Sequence, residues 1–451
     1  MNIVITGAGE VGRHLAGSLS NRDHNLTIIE AQEALARDLD EQLNSHVLCG
    51  DGTTVTTLAE ANVAEADLFL ALTSDRNVNL VSASLAKAMG ARWTIARVDA
   101  SVQREEWLFD YRSHFRIDYL FSVERLTAIE IAKHIRNPNR LLVEEFARGR
   151  IELVQCGLAP ESGLCGRSLL EIKLPPQVRV ALIQRGGESR VPAAKDPLEA
   201  GDVVTLFGEP NILAEVLPRF DPGIKPRSEV KIVIFGGDKY GAVLAQMLEA
   251  KRHFKVRIME SSRQRCEQLA AQMQNTTIIN GDGTSLQQLK EEQVGEADFF
   301  IGMSHQDEDN VMTCLQARAL GAGRCLALVH RADYADVISS NEERLGIHAA
   351  VSPRVAVSRD LMRFITSDPY HSVMSLHGGV EILELTLAPD SPVRDLKLSE
   401  ISWPPGSGLV ALLHEQQAVV PGGNDVLRAG DTVYAVTTPE ARRPFIRLMT
   451  H

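Results

Sequence analysis

The chain alternates short apolar runs with longer segments in which apolar residues recur every three or four positions. In the first third of the chain the apolar runs lie at 2–6, 25–30, 46–49, 66–72, 93–98 and 117–121. Short buried strands separated by helices of about 10 to 15 residues are typical of βαβ crossovers and of a parallel sheet covered on both faces. The pattern therefore predicts a doubly wound α/β sheet of the Rossmann type.

A further amphipathic segment follows the sixth predicted strand. Ala128, Ile131, Ala132 and Ile135 recur at helical spacing, and Asn137-Pro138-Asn139 is predicted to end that helix. A helix that follows a finished sheet must bury its apolar stripe against some surface. Packing on its own domain is the simpler interpretation, and packing on a dimer partner is the alternative.

The periodicity changes between about Leu142 and Phe220. Short alternating runs at 151–154, 178–183 and 203–206, separated by Gly and Pro turns, predict a small β-rich module. A polar turn, Leu198 to Asp202, leads into the last of these strands. The stretch 221–229, which holds two prolines and a glycine, is predicted to be a linker.

The second half of the chain repeats the first at an offset of 229 to 231 positions. Ile232-Val233-Ile234 repeats Ile3-Val4-Ile5, Gly281 to Thr284 repeats Gly50 to Thr53, and Leu427 to Asp431 repeats the Leu198 turn. Matches that keep one offset across half a chain indicate a tandem duplication. The predicted organisation is a nucleotide-binding domain at 1–137, a β-rich module at 141–220, a linker at 221–229, a second nucleotide-binding domain at 230–368 and a second module at 371–451.

A glycine turn, Gly7-Ala-Gly-Glu-Val-Gly12, follows the first predicted strand and opens a helix. Its glycines suit a tight reversal, close approach of a pyrophosphate and close packing of helix on strand. The motif alone is a weak signal, but Glu30 ends the next apolar run, where a carboxylate binds ribose hydroxyls and repels the extra phosphate of NADP. No arginine follows Glu30, so the turn predicts NAD rather than NADP.

Other candidate residues follow the ends of neighbouring strands, where ligands bind in such sheets. Asp51 is placed to contact an edge of the adenine or the ribose. The alternative is that its segment, Gly50 to Thr53, forms only a turn and a helix N-cap. Thr73 and Ser74 either cap the next helix or bind the nicotinamide ribose and phosphate. Arg97 ends a buried strand and needs an anionic partner, for which a nucleotide phosphate is favoured over Asp99 or Asp51.

The two copies differ in their phosphate turns. Asp238 replaces Gly9, and Leu328 replaces Arg97. A carboxylate in the turn disfavours a pyrophosphate unless Lys239 neutralises it. We therefore expect NAD(H) at the first site, and weaker binding or another nucleotide, such as ATP or ADP, at the second. The predicted cofactor-binding residues are Gly7, Ala8, Gly9, Glu10, Val11, Gly12, Glu30, Asp51, Thr73, Ser74 and Arg97 in the first half, and Gly236, Gly237, Asp238, Lys239, Tyr240, Glu260, Asp282 and Ser304 in the second.

Composition narrows the functional classes. The formal net charge of −12 argues against nucleic acid and anionic lipid as partners. No apolar stretch approaches the ~20 residues of a membrane helix, and Met1 leads directly into a strand without a signal-peptide pattern, so a cytosolic protein is expected. The six cysteines form no CxxC and the thirteen histidines form no cluster, so we predict free thiols and no metal site.

No histidine–carboxylate or lysine–aspartate constellation recurs at matching places in both copies, so no catalytic residues are predicted. A duplicated cofactor domain without surrounding chemistry suggests that the ligand is a signal for an allosteric regulator. The alternatives are an NAD-dependent oxidoreductase and a nucleotide sensor with a partner outside transport.

Several features, taken together in duplicate, resemble the RCK (KTN) family. They are the glycine turn, Glu30, the Gly50 to Thr53 turn, the Thr73 to Asn79 segment, Arg97, the trailing helix and the module with the Leu198 to Asp202 turn. The resemblance implies tandem RCK units, each an N-terminal Rossmann domain and a β-rich C-terminal domain, in a ring of four chains. It further implies NAD(H) or adenine nucleotides in the clefts, and docking of the ring on a potassium-translocating membrane subunit at the cytoplasmic face of the inner membrane. Asp238, Leu328 and the acidic residue at Asp75 depart from the commonest family pattern and leave the second ligand open.

Overall fold

The computed structural model describes residues 1–20, 24–43, 45–105, 108–136, 142–146, 151–222, 229–362, 364–365, 370–414 and 417–450. These residues form two compact units, one of residues 1–135 with 227–365 and one of residues 136–226 with 366–451. The predicted helix end at Asn137-Pro138-Asn139 and residues 223–228 of the predicted linker lie outside the described residues.

The first half of the first unit contains a parallel sheet in the order β3-β2-β1-β4-β5-β6, with the order reversing between β1 and β4. This is the Rossmann strand order, and it confirms the predicted fold class. The elements are β1 (Asn2–Thr6), α1 (Glu10–Ser20), β2 (Asn25–Glu30), α2 (Glu33–Gln42), β3 (His46–Cys49), α3 (Val55–Glu60), β4 (Leu68–Ala71), α4 (Arg76–Met89), β5 (Trp93–Arg97), α5 (Ala100–Arg104), α6 (Tyr111–His114), β6 (Tyr119–Phe121) and α7 (Val123–Arg136).

The β-rich modules make up the second unit. The first contains β7 (Leu142–Phe146), β8 (Ile151–Gly157), α8 (Leu169–Ile172), β9 (Val178–Arg185), β10 (Glu188–Arg190), β11 (Val203–Gly208) and α9 (Pro210–Phe220). Its antiparallel sheet has the order β10-β9-β11-β8-β7. Two of these strands, β7 and β10, were not among the predicted runs, because neither is long enough to show a clear alternation.

The second half of the first unit repeats the same sheet in the order β14-β13-β12-β15-β16-β17. Its elements are β12 (Val230–Phe235), α10 (Lys239–Glu249), β13 (Phe254–Glu260), α11 (Arg263–Gln272), β14 (Thr277–Asn280), α12 (Leu286–Glu291), β15 (Phe299–Gly302), α13 (Asp307–Ala319), β16 (Arg324–Leu328), α14 (Ala332–Ser339), α15 (Glu342–Leu345), β17 (Ile347–Val351) and α16 (Pro353–Met362). The two halves therefore share topology element by element.

The second β-rich module contains β18 (Tyr370–Ser375), β19 (Glu381–Thr386), β20 (Ser407–His414), β21 (Gln417–Val419), β22 (Thr432–Thr437) and α17 (Pro439–Thr450). Its sheet order, β18-β19-β22-β20-β21, repeats that of the first module. Short 3-10 helices lie at Val63–Glu65, Val294–Glu296, His377–Gly379 and Leu398–Glu400. Throughout the described residues, no helix combines the length and the apolar character that crossing a membrane requires.

The two halves of the first unit exchange helices. The apolar stripe of α7, with Ile131 and Ile135 almost fully buried, packs in one core with Ile232 and Ile234 of the second sheet. Conversely, Val357 and Leu361 of α16 and the following Ile365 pack in the core of the first sheet. The interpretation that the α7 stripe packs on its own domain was therefore wrong. Periodicity shows that a stripe is buried, but it carries no information about the surface that covers it.

Candidate nucleotide-binding site

The first glycine turn connects β1 to α1 at the carboxyl edge of the first sheet. Gly7 has φ +90°, and a Cβ there would lie 2.7 Å from the backbone nitrogen of Thr73. A Cβ on Gly12 would lie 2.1 Å from the carbonyl oxygen of Gly7, so the fold itself requires these two glycines. A Cβ on Gly9, by contrast, would meet no described atom within 4 Å. Open space above Gly9 is what close approach of a pyrophosphate needs.

The remaining residues of this turn divide between core and surface. Ala8 and Val11 are buried in the core of the first sheet, so the ligand can meet only their backbone. Glu10 is the first residue of α1, and its side chain is 63% exposed. The N–H groups of the first helical turn have no intrahelical partners, and together with the helix dipole they favour an anion at this end.

Glu30 closes the turn from the neighbouring strand. Its carboxylate accepts hydrogen bonds from the Ala8 N–H at 2.8 Å and from the Gln32 N–H at 2.9 Å. Glu260 does the same for Gly237 and Ser262 at 2.9 and 2.8 Å. Each carboxylate oxygen has a second lone pair, so the predicted ribose contact is compatible with these bonds. The primary role that the structure gives this position is to hold the turn.

Asp51 and Asp282 each make a tight turn after the third strand of their sheet. Oδ1 of Asp51 accepts from both the N–H and the hydroxyl of Thr53 at 2.8 Å. These bonds lower the pKa of Asp51 below its ordinary value, and the corresponding bonds from Thr284 lower that of Asp282. A Cβ on the adjacent Gly52 would lie 2.2 Å from Oγ1 of Thr6, which places this turn against the end of β1. The contact of Asp51 with adenine or ribose stays a prediction.

An asparagine joins the ends of the next two strands. Oδ1 of the fully buried Asn79 accepts from the N–H and hydroxyl of Thr73 at 2.9 and 2.7 Å, and its Nδ2 donates to the Arg97 carbonyl at 3.0 Å. Asp75, rather than Thr73 or Ser74, caps α4 by accepting from the N–H groups of its first turn. Thr73 therefore lines the glycine turn as part of a fixed frame, while Ser74 beside it is exposed.

The same frame recurs in the second half. Asn310, also fully buried, accepts from the Ser304 N–H at 2.7 Å and donates to the Leu328 carbonyl at 3.0 Å. Gly236 has φ +99°, and a Cβ there would lie 2.7 Å from the Ser304 nitrogen. Neither asparagine was among the predicted site residues. Their separation of 231 positions, which matches the offset of the repeat, was the signal that could have identified them.

Arg97 brings a guanidinium to the first site. It is half-buried at the end of β5, and both carboxylates that were considered as partners are engaged elsewhere. Asp51 accepts from Thr53, and Asp99 lies 3.8 Å from Nη1 of Arg76. Within the described residues, no carboxylate forms an ion pair with Arg97. A half-buried guanidinium at the carboxyl edge of the sheet therefore favours an anionic ligand.

The charges at the corresponding positions of the second half are different. Leu328 replaces Arg97, while Asp307 and His330 replace Arg76 and Asp99. Asp307, 8% exposed, accepts from the His330 N–H at 2.8 Å, and its Oδ1 lies 2.9 Å from the His330 ring nitrogen. In the first half the acidic residue, Asp99, follows strand β5, whereas in the second half the acidic residue, Asp307, begins helix α13. The second half has no arginine at the positions of Arg76 and Arg97.

The second glycine turn carries a carboxylate that contacts a nearby histidine. Asp238, which stands where the first turn has Gly9, lies 2.5 Å from Nε2 of His305. In the described part of the chain, the side chain that contacts this carboxylate is His305, and Lys239 is exposed without an ion pair. Neutralisation of Asp238 by Lys239, the condition named for pyrophosphate binding at this turn, is therefore not seen as an ion pair.

Tyr240, which was predicted to bind the second nucleotide, takes part in the packing of both halves. It packs against the cores of both halves, and its ring lies edge-on to His330 at 5.8 Å between centroids. Burial, followed by the charge of Glu124, raises the pKa of Tyr240, and the charge of Arg97 opposes this shift. Tyr240 therefore packs where the two halves meet.

The fold and these two edges define a class of protein: a tandem pair of Rossmann-type nucleotide-binding domains, each followed by an antiparallel β-rich domain. The model of the TrkA-N domain matches residues 3–110 and 232–353, and the model of the TrkA-C domain matches residues 154–221 and 382–450. The chain belongs to this TrkA family.

Relatives match the chain along nearly its whole length. One is the Trk system potassium uptake protein TrkA homolog 2 of Methanosarcina mazei, 28% identical over 99% of this chain and 100% of its own. Another is the TrkA protein of Halomonas elongata, 29% identical over 96% of this chain and 95% of its own.

Solved structures share the fold. The RCK domain of GsuK has a TM-score of 0.59 and 18% identity, over 99% of this chain and 94% of its own. The GsuK channel bound to NAD has a TM-score of 0.60 and 18% identity, over 99% of this chain and 78% of its own. The predicted RCK resemblance is thereby confirmed at the level of family and fold.

Proposed function

We propose that this chain is a cytosolic, non-catalytic regulatory subunit of a potassium uptake system, and that nucleotides bound to its Rossmann domains control a membrane subunit. Support comes from the full-length relatives that carry the TrkA name. The tandem layout adds to this, because both halves keep the frame of a nucleotide site while no catalytic constellation repeats between them.

The observation that carries the ligand assignment is the guanidinium of Arg97 at the edge of the first sheet. It lies beyond a glycine turn that is open above Gly9, and Glu30 stands at the ribose position. A dinucleotide would place its pyrophosphate on the N-terminus of α1 and within the field of Arg97. Glu30 disfavours a 2′-phosphate, so the first site takes NAD(H) in preference to NADP(H).

The second site has a different preference. Asp238 and Asp307 bring negative charge to an edge that has lost both arginines, so it binds NAD(H) more weakly, or takes ATP or ADP instead. Asp51 and Asp282 contact the adenosine portion in their respective sites.

The partner is a potassium-translocating membrane subunit of the TrkH or TrkG type. Four chains form a ring on its cytoplasmic side, and the ring is held at the inner membrane through that subunit. Nucleotide binding changes the shape of the ring and thereby controls ion flux.

Calorimetric titration of the purified full chain with NADH, NADPH, ATP and ADP tests the ligand assignment. We expect a tight NADH event at one site per chain and weaker binding of NADPH. Absence of affinity for every one of these nucleotides would overturn the proposal.

Potassium flux through a reconstituted TrkH-type subunit, measured with and without this chain, tests the regulatory role. Flux should depend on both the chain and the nucleotide. Sustained consumption of NADH with carbonyl substrates would instead establish an oxidoreductase. Nucleotide binding without any effect on flux would indicate a sensor with another partner.

A further inference from the structure

An arginine of the second half reaches the glycine turn of the first. Arg354, in the first turn of α16, has its Nη2 at 3.1 Å from Oε1 of Glu10. Glu10 immediately follows Gly9 and begins α1. The exchange of helices brings these residues together, because α16 packs on the first sheet beside α1.

The guanidinium of Arg354 has unused donor capacity. Its Nε is buried and has no hydrogen-bond partner among the described residues. An arginine carries five N–H donors in a planar fork, and one contact with one carboxylate oxygen leaves most of them available. The side chain is 26% exposed, compared with 63% for Glu10, so the arginine is the more fixed partner of the pair.

The surrounding groups show that charge converges on this turn. Burial and the charge of Glu124 raise the pKa of Tyr240; the charge of Arg97 lowers it and that of Glu10 raises it further. His14, one helical turn after Glu10, has its pKa lowered by burial and then by the charge of Arg354. Through its contact with Glu10, Arg354 brings a guanidinium of the second half to the N-terminus of α1, which itself favours an anion.

We propose that Arg354 is a ligand for the phosphates of the nucleotide at the first glycine turn, and that Glu10 occupies its guanidinium when the site is empty. This inference rests on the proposed nucleotide-binding function. A phosphate accepts the fork of an arginine in two parallel bonds and carries more charge than one carboxylate. An exposed Glu10 side chain can rotate into solvent when the phosphate arrives.

The second glycine turn receives no arginine at the equivalent place. The residues equivalent to Glu10 and Arg354 are Lys239, which is exposed, and Glu124, which is buried and accepts a hydrogen bond from the Ser122 hydroxyl at 2.7 Å. The first site is therefore built from both halves, whereas the second lacks this contribution. Occupancy of the first turn acts directly on α16, an element of the other half.

Titration of the full chain with ADP and with adenosine tests this role, using Arg354→Gln and Glu10→Gln. The binding event at the first site is identified as the one that Arg97→Leu weakens. Arg354→Gln should weaken ADP binding there about tenfold or more and leave adenosine unchanged, since a hydrogen bond to a charged group contributes about 1.5–3 kcal/mol. Glu10→Gln should strengthen ADP binding, because it removes the competing charge.

Arg125→Gln is the control, since it removes an exposed arginine from the first turn of α7 and should leave the first site unchanged. Arg354→Lys keeps the charge and loses the fork, so an intermediate ADP affinity is expected even if Arg354→Gln fails to fold. A purely structural Glu10–Arg354 bridge would weaken ADP binding in both single variants alike, and this would overturn the inference. Wild-type ADP affinity in Arg354→Gln would also overturn it and leave the proposed function standing, whereas the proposed function fails if the wild-type chain binds no nucleotide.

Discussion

The two glycine turns of this chain share a frame and differ in the charges placed on it. Glu30 and Glu260 hold the turns by the same pair of backbone bonds, and Asn79 and Asn310 tie the same strand ends together. The side chains that would meet a phosphate do not match: Gly9 becomes Asp238. The difference separates residues that build a nucleotide site from residues that choose its ligand.

The same separation holds for the position of each residue in the fold. Of the frame residues, Glu30, Asn79 and Asn310 are buried and Glu260 is half-buried, and the hydrogen bonds described for each lie within one half. The ligand-choosing residues lie at the edge, where a change of charge costs the fold little. Duplication could therefore preserve the scaffold while the second edge lost Arg97 and gained Asp307 and His330. Four predictions test how far this division between the halves holds.

The largest effect is expected from the exchanged helices. Ile131→Ala on α7 should reduce the free energy of unfolding by about 2–5 kcal/mol, because it removes a fully buried side chain and leaves a cavity. The loss of protection in native-state hydrogen exchange should fall on the second sheet, where Ile131 packs. Leu361→Ala on α16 is the matched variant and should loosen the first sheet. Protection lost only in the half that contains the mutation would contradict the exchange.

Arg97→Leu gives the first site the residue of the second. NADH affinity at the first site should fall by about 10- to 100-fold, since a charge-assisted bond to phosphate contributes about 1.5–3 kcal/mol. Calorimetry measures the loss, and thermal unfolding should show a stable chain. Lys195→Leu removes an exposed charge in the first β-rich module and serves as control. Unchanged NADH affinity in Arg97→Leu would remove Arg97 from the site.

The pH dependence of stability should come in part from His348 on β17. Burial, and then the charge of Arg324, lower the pKa of His348 from 6.5 to about 4. The unfolded chain therefore binds more protons between these values, and the free energy of unfolding falls as the pH drops from about 6.5 towards 4. Asp118 occupies the place equivalent to His348 in the first half, and Tyr119 follows it on β6.

His348→Gln should flatten this dependence in urea unfolding at pH 7.5 and pH 5. The control Tyr119→Phe lies on β6, the strand that corresponds to β17, and should leave the pH dependence unchanged. If His348→Gln and the wild-type chain lost the same stability between the two pH values, the titration would have to be assigned to another group.

The smallest effect is expected at the second turn. Asp238→Gly restores the glycine of the first turn and removes a carboxylate from the N-terminus of α10. Phosphate binding should improve by about 0.3–1 kcal/mol, or about twofold to fivefold, because Leu328 still leaves this edge without the guanidinium. Titration with ADP measures this gain, and Glu440→Gln, which removes an exposed carboxylate from the second β-rich module, provides a control. Weaker ADP binding after Asp238→Gly would mean that Asp238 itself is a ligand.

Much of the fold follows from local patterns. The predicted strands 2–6, 25–30 and 46–49 coincide with β1, β2 and β3, because each is a short apolar run that directly precedes a turn. Alternation and periodicity act over a few residues, so they are visible in the sequence. Because the chain is duplicated, the pattern that predicts each element occurs twice in the sequence. The observed strand order confirms the predicted class of fold.

The site was accessible to sequence reasoning only in part. Gly7, Gly12 and Glu30 lie at or just beyond the carboxyl ends of β1 and β2, where ligand-binding residues are expected in a Rossmann sheet. The pairing of Asp238 with His305 and of Glu10 with Arg354 was not predictable, because the partners are far apart in sequence and their contact depends on the finished fold. The same holds for the surface that covers α7, since an amphipathic helix specifies that it has a partner without specifying which one.

The reciprocal packing of α7 and α16 limits how the chain can be divided. If the chain were divided between its two halves, each fragment would keep its own sheet and lose the helix that packs on it. The helix that each fragment retained would have no sheet beneath its apolar face. Such a fragment would have to recruit another copy of itself to become covered. Because both halves belong to one chain, they are always present in equal numbers. The first nucleotide site therefore always has the second Rossmann domain, and not another copy of the first, as its neighbour.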